Sequence, residues 1–401
     1  MAILKKPNLL ILIIAAIVAG ICCGWFFTQP LTRIFVTFNS LFSNFLGFCI
    51  PLIILGFVAP AIGDLGVKAG RMLLLTVCLA YSITIGAGFL SYFVSDRFFP
   101  GIIESVSAEE VLEGSNDILP FFTISMPPII DIMSALVLSF LLGIGMTQLK
   151  KPDSSIKKIL TEFRDIVSWV ISKIIVPLLP VYIFGIFLKM SQTGEVNTIL
   201  IDFSKIILVI FALHLIWLVI LYVSAGIVSR GEKNPFKLLW TMLPAYFTAL
   251  GTSSSAATIP VTLRQTIKMG VDKDVAGFTI PLCATIDLSG SALKIVSCAL
   301  ALMLMKGMPY DFGMFAYFVC MLGIALVAAP GVPGGSIMAA IGLLTSILGF
   351  SEADCALMIA LYIAMDSFGT ACNVTGDGAI ALVVDRFFGK AKLLKEEFMR
   401  V

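Results

Sequence analysis

The chain has 401 residues, 59% of them hydrophobic and only 13% charged, with 27 basic against 25 acidic side chains. Soluble domains carry about 25% charged residues, so this balance excludes an ordinary soluble protein. The net charge of +2 says little about partners, and no basic patch is interleaved with aromatics, which argues against nucleic acid.

Uncharged runs mark the spans in chain order. Residues 7–32, 34–63 and 72–95 carry no charge, and each is long enough to cross about 30 Å of hydrocarbon. Residues 132–149 and 206–229 are also uncharged, and roughly 166–190 forms another span with Lys173 and Lys189 near its ends. The first run follows Lys5-Lys6 but lacks a clear small-residue cleavage site, so it reads as a membrane helix rather than a signal peptide.

Basic residues flank the cytoplasmic ends of membrane helices. That rule places the N-terminus, Lys68, Arg71, Lys150, Lys151, Arg230, Lys233 and the tail with Arg386, Lys390 and Lys395 inside. The acidic segment from Asp96 to Asp117 lies outside. The nine cysteines lie mostly in apolar runs, none forms Cys-x-x-Cys, and a single histidine, His214, cannot complete a zinc site. His214 reads as a packed or lipid-interface residue.

Two later segments do not fit as simple spans. Residues 238–263 are uncharged but broken by Gly251-Thr-Ser-Ser-Ser255, and both flanks are basic. A re-entrant hairpin from the cytoplasm satisfies both facts. Residues 312–351 are too long for one span, and their middle reads Pro330-Gly-Val-Pro-Gly-Gly-Ser336. Proline and glycine there predict a second hairpin, entering from outside. Interrupted apolar segments of this kind point to a transporter binding site.

Between them a helix over about 275–304 carries Asp287, Gly290 and Lys294. Gly290, among small hydroxyl residues, predicts local unwinding there. Near the C-terminus, Asp366, Thr370, Asn373 and Asp377 fall at i, i+4, i+7 and i+11, one stripe of a helix. Carboxylates at membrane depth normally face a cavity and mark a substrate or ion path. The Ser253–Ser255 run with His214 makes no nucleophile–base pair, since His214 has no orienting acid nearby in sequence. Gly331–Gly335 lacks the Lys-Ser/Thr ending of a phosphate loop, so no enzyme is expected.

Three motifs in order carry a family resemblance. Ser253-Ser-Ser-Ala-Ala-Thr-Ile-Pro-Val-Thr-Leu263, Gly331-Val-Pro-Gly-Gly335 and Asn373-Val-Thr-Gly-Asp377 resemble the two hairpins and last helix of the dicarboxylate/amino acid:cation symporters, the glutamate-transporter superfamily. The resemblance implies an all-α polytopic membrane protein, with eight transmembrane helices and two re-entrant hairpins, working as an elevator-type homotrimer in the plasma (inner) membrane. Residues 1–68 and 118–195 would form the scaffold, 69–100 and 196–390 the transport domain, and 391–401 a cytoplasmic tail. It further implies symport of a small amino acid or dicarboxylate coupled to Na⁺, with no organic cofactor.

By resemblance, Asp366 holds the substrate ammonium, Thr370 lies beside it, and Asn373 holds the α-carboxylate with Ser255 and the hairpin backbone. Ser253, Ser254, Ser291 and Lys294 belong to the same expected pocket, with Gly331, Val332, Pro333 and Gly334 from the second hairpin and Gly369 from the last helix. Cys283, Thr285, Asp287, Leu288, Ser289, Asn373 and Asp377 form the expected cation set.

Departures from the pattern matter for specificity. Gly369 stands where acidic-substrate members carry an arginine, and the alternative arginine site is Ser253. Ser289 replaces an aspartate, Asp287 an asparagine, and Lys294 an aromatic residue. Three readings of Lys294 stand. It supplies a positive charge across the pocket, with Gly369 making room. It pairs internally with Asp287 or Asp366, leaving a neutral pocket with space at Gly369 for a ligand side chain. Or it replaces one cation. The missing arginine favours a neutral amino acid over an acidic one. Proton coupling through Asp287, Asp366 and Asp377, or a channel-like conductance, is the alternative.

Overall fold

The computed structural model describes residues 9–67, 71–103, 118–149, 155–193, 196–229, 234–327, 329 and 334–389. Among these residues the protein is helical and contains no strand. The first helices are α1 (Leu9–Gly24), α2 (Gln29–Val67), α3 (Arg71–Phe98) and α4 (Ile132–Leu149). Helix α5 (Ser155–Val170) runs through a π-helical turn into α6 (Val176–Thr193), and α7 (Val196–Val228) follows.

The C-terminal part is made of shorter pieces. These are α8 (Pro235–Thr252), α9 (Ser255–Lys268), α10 (Lys273–Ile286), α11 (Ser289–Met305), α12 (Phe312–Val327), α13 (Gly335–Leu348), α14 (Glu352–Ala364) and α15 (Asp366–Phe388). Local chemistry sets their ends. Asn234 accepts from the Phe236 and Lys237 amides ahead of Pro235, and Asp272 accepts from the Asp274 amide at the start of α10. Ser351 and Asp354 form a reciprocal capping box on α14, and Gly349 closes α13 with φ 71°.

Five helical stretches among the described residues are long and apolar enough to cross a bilayer: Gln29–Pro60, Arg71–Gly101, Ser155–Gln192, Phe203–Val228 and Lys273–Met305. Ala353–Ala364 and Asp366–Phe388 pass the same test as a pair bent by 62°. Leu141, Leu208 and Ile227 stand exposed on long helices, as a lipid-facing surface requires.

Both interrupted segments fold as pairs of helices packed on each other, α8 on α9 and α12 on α13. Helices α3, α7, α12, α13, α14 and α15 surround α11, whose residues Ser289–Met303 are all buried. The basic and acidic segments used for orientation at Lys68, 104–117, Lys150, Lys151, Arg230, Lys233 and 390–401 lie outside the described residues.

Candidate functional site

Four breaks in the backbone meet at one point. Helix α8 stops at Thr252, Ser253 takes a left-handed φ of 49°, and Ser254 is extended and caps α9 by accepting from the Ala257 amide. Ser253 is held there by an Oγ–Oγ hydrogen bond of 2.7 Å to Ser367. Gly334, with φ 76°, starts α13; only glycine takes that conformation without Cβ strain. Gly331, Val332 and Pro333 lie outside the described residues.

The third break separates α10 from α11. It falls at Asp287 and Leu288, with the helix resuming at Ser289. The unwinding expected at Gly290 is thus displaced toward the N-terminus. Gly290 serves packing instead: a Cβ there would lie 2.6 Å from the Gly369 carbonyl oxygen and 2.7 Å from the Cys372 Cβ. The fourth break is the bend at Met365, which starts α15 at Asp366.

The breaks border a partly open cavity lined by Ser253, Ser255, Ala284, Thr285, Leu288, Ser291, Ser336, Tyr362, Asp366, Thr370 and Asn373. Both hairpins and both broken helices contribute to it. Ser254 is not among the lining residues and acts as the α9 cap. Tyr362 and Ser336 are lining residues that the sequence reading passed over. Tyr362 sits one helical turn before Asp366, just ahead of the polar stripe, and Ser336 closes the second hairpin motif.

Lys294 has 0% exposure, and its Nζ lies 3.2 Å from Asp366 Oδ1 and 3.6 Å from the centre of the Tyr362 ring. The other Asp366 oxygen accepts from the Gly334 amide at 3.3 Å. A Cβ on Gly369 would lie 2.5 Å from Lys294 Cε and 2.6 Å from its Nζ. Gly369 therefore makes room for Lys294, whose stem fills the space that one of the three readings left for a ligand side chain. The internal partner is Asp366, not Asp287, and among the described residues no lysine, arginine or histidine lines the cavity.

Asn373 joins the elements. Its Oδ1 accepts from the Gly290 amide at 2.7 Å, and its Nδ2 donates to Ser291 Oγ at 3.3 Å. Thr370 returns its hydroxyl proton to the Asp366 carbonyl at 2.9 Å.

Deeper along the stripe, Asp287 and Asp377 are both 1% exposed and lie within electrostatic reach of each other. Asp287 Oδ2, Asp377 Oδ1, Ser289 Oγ and Thr375 Oγ1 are buried with no hydrogen-bond partner. A Cβ on Gly376 would lie 3.0 Å from Asp287 Oδ2 and 3.9 Å from Ser289 Oγ, which places these two oxygens around one point. Two buried carboxylates without a cationic partner are costly. Oxygen donors of this kind fit a hard monovalent cation such as Na⁺. Cys283 is fully buried beside them, Leu288 lines the cavity, and Thr285 bonds the Leu282 carbonyl with its hydroxyl at 2.7 Å.

Apolar helices of membrane-crossing length, with broken helices meeting at a polar cavity, define a membrane transporter rather than an enzyme. The family model of the sodium:dicarboxylate symporter family matches residues 9–387, and the chain belongs to that family. It is 25% identical over 400 residues to the serine/threonine transporter SstT of Acinetobacter baylyi, covering 96% of this chain and 98% of that protein. It is 26% identical over 273 residues to the mouse neutral amino acid transporter B(0), covering 67% of this chain and 48% of that one. Against human excitatory amino acid transporter 2 it is 34% identical over 154 residues, 38% of this chain and 27% of the relative. The chain thus spans nearly all of the bacterial relative but less than half of these two animal ones.

Proposed function

We propose that the protein is a secondary active symporter that imports a neutral amino acid with a small side chain, driven by inward Na⁺ flow. The observation that carries this reading is the burial of Lys294 against Asp366, which leaves a cavity walled by hydroxyls, one amide and a neutralised carboxylate. An acidic side chain would find no free cation there. Asp366 retains lone pairs for the ligand ammonium, and Asn373 with Ser255 and Ser291 offers donors to the carboxylate. The space above Gly369 is filled by Lys294, which disfavours long side chains.

Na⁺ sits in this reading at Asp287, Asp377 and Ser289, with main-chain oxygens of Cys283, Thr285, Leu288 and Asn373 as further ligands. Eight membrane helices and two re-entrant hairpins place both termini in the cytoplasm of the plasma (inner) membrane. Residues 1–68 and 118–195 act as a trimeric scaffold, and 69–100 with 196–390 move as an elevator carrying the cavity. The packing of α3 on α11, and of α8–α10 on α15, supports grouping these elements together.

Uptake of labelled serine, alanine, leucine, aspartate and succinate into proteoliposomes tests the assignment. Serine and alanine are expected to accumulate under an inward Na⁺ gradient and to stop when choline replaces Na⁺ at fixed pH. Uptake confined to aspartate or succinate overturns the neutral-substrate reading. Uptake persisting in choline points to proton coupling instead.

A further inference from the structure

His214 is the one histidine of the sequence, and the transport reading above does not use it. It lies on α7 with 1% exposure, contrary to a lipid-facing placement. Its Nε2 is 3.0 Å from the Gly290 carbonyl oxygen. A carbonyl only accepts, so Nε2 carries the proton of this bond. Nδ1 is buried and has no partner, so a second ring proton there would have no acceptor.

Gly290 lies in the first turn of α11, where an amide N–H has no intrahelical acceptor. That N–H donates instead to Asn373 Oδ1 at 2.7 Å. The peptides on both sides of Gly290 are therefore pinned, on one by Asn373 and on the other by His214. The missing side chain adds to the constraint, because α15 packs where a Cβ would stand.

An amide side chain has an accepting end and a donating end. With Oδ1 committed to Gly290, Asn373 turns its NH₂ toward Ser291, which in turn meets the Tyr362 hydroxyl at 3.0 Å. All three of these side chains line the cavity. A ligand carboxylate needs donors, and a flipped Asn373 would present an oxygen.

We infer that His214 is a positioning residue for ligand-carboxylate recognition. It acts through the Gly290 backbone to hold Asn373 with its donor end toward the ligand, and touches no ligand itself. The inference rests on the assignment of Asn373 to the carboxylate.

Two measurements on the full-length protein test it. In proteoliposomes, His214→Phe keeps an aromatic ring but removes the donor. The KM for L-serine is expected to rise about tenfold, the worth of one hydrogen bond, with kcat changed less than about twofold. His214→Gln, which restores a side-chain N–H, is expected to recover most of that loss. An unchanged KM in His214→Phe overturns the inference, as does a Gln variant no better than Phe.

The second measurement needs no variant and no ligand. With ¹⁵N-histidine labelling, the single imidazole gives one pair of ring-nitrogen signals. Protonated Nε2 and unprotonated Nδ1 are expected, and the opposite tautomer overturns the inference. Asn373→Ala separates the two readings: an unaltered serine KM there removes the carboxylate assignment while leaving the tautomer result standing.

Discussion

Asp366 has a ring of obligations for one side chain. It neutralises Lys294, accepts from the second hairpin at Gly334, and lines the cavity. Asp366→Asn is expected to lower serine uptake per folded protein more than about 100-fold, because the ammonium loses its charge partner, and to lower the unfolding temperature as well, because Lys294 is left buried without its counter-charge; uptake retained by the folded variant removes the assignment. Lys294→Met keeps the stem but leaves a buried carboxylate unpaired, which costs about 3–5 kcal/mol. Thermal unfolding is expected to show a large loss for Lys294→Met and substantial recovery in the Lys294→Met/Asp366→Leu double variant. Additive losses would mean that the pair is not coupled. These two residues are 72 positions apart, so spacing along the chain could not choose Asp366 over Asp287. The Asp366–Asp377 stripe was legible because helical periodicity is local. The use of Gly369 as space for Lys294 was visible only as one of several readings, because a missing side chain does not name the neighbour that fills its place.

At the scale of elements, the helix breaks were the most legible part of the fold. Gly251–Ser255 and the residues up to Gly335 announced both hairpins, since left-handed and extended backbone must occur where α8 meets α9 and where α13 begins. The break before α11 was misplaced by two to three residues. Glycine marked it in the sequence, yet the chain unwinds at Asp287 and Leu288 and spends Gly290 on contact with α15. The bend between α14 and α15 had no proline or glycine at Met365 to reveal it. Helix α14 also has a built start. The Ser351–Asp354 capping box is joined by an ion pair from Lys306 at the end of α11, which ties the two helices together. Ser351→Ala is expected to destabilise the protein by about 1 kcal/mol, read as a lower unfolding temperature in detergent. An unshifted midpoint would show that this cap contributes nothing.

For the whole molecule, composition alone excluded a soluble protein, and family membership follows from the match over residues 9–387. Orientation rested on charged segments that mostly fall outside the described residues. Assembly is tested by light scattering of the purified protein. A mass of three chains is expected, and a single-chain mass would remove the shared scaffold. Ion coupling belongs to this scale as well, because in the proposed cycle the cation gradient drives movement of the whole transport domain. Gly376→Ala would push a methyl group to 3.0 Å from Asp287 Oδ2. It is expected to raise the Na⁺ concentration for half-maximal uptake at least about fivefold, with a smaller effect on serine affinity at saturating Na⁺. Equal sodium dependence in the variant would move the cation elsewhere.

Helix α15 carries a seam without side chains at Gly369 and Gly376, seven residues apart on one face, against Lys294 and Asp287 respectively. Close approach on that seam leaves little freedom to slide by a turn or to rotate on its axis. If the proposed cargo cavity and ion site are as assigned, both are held in one frame, like two passengers in a single cabin. Under that proposal whatever carries one across the bilayer carries the other, and neither compartment can be rebuilt on its own.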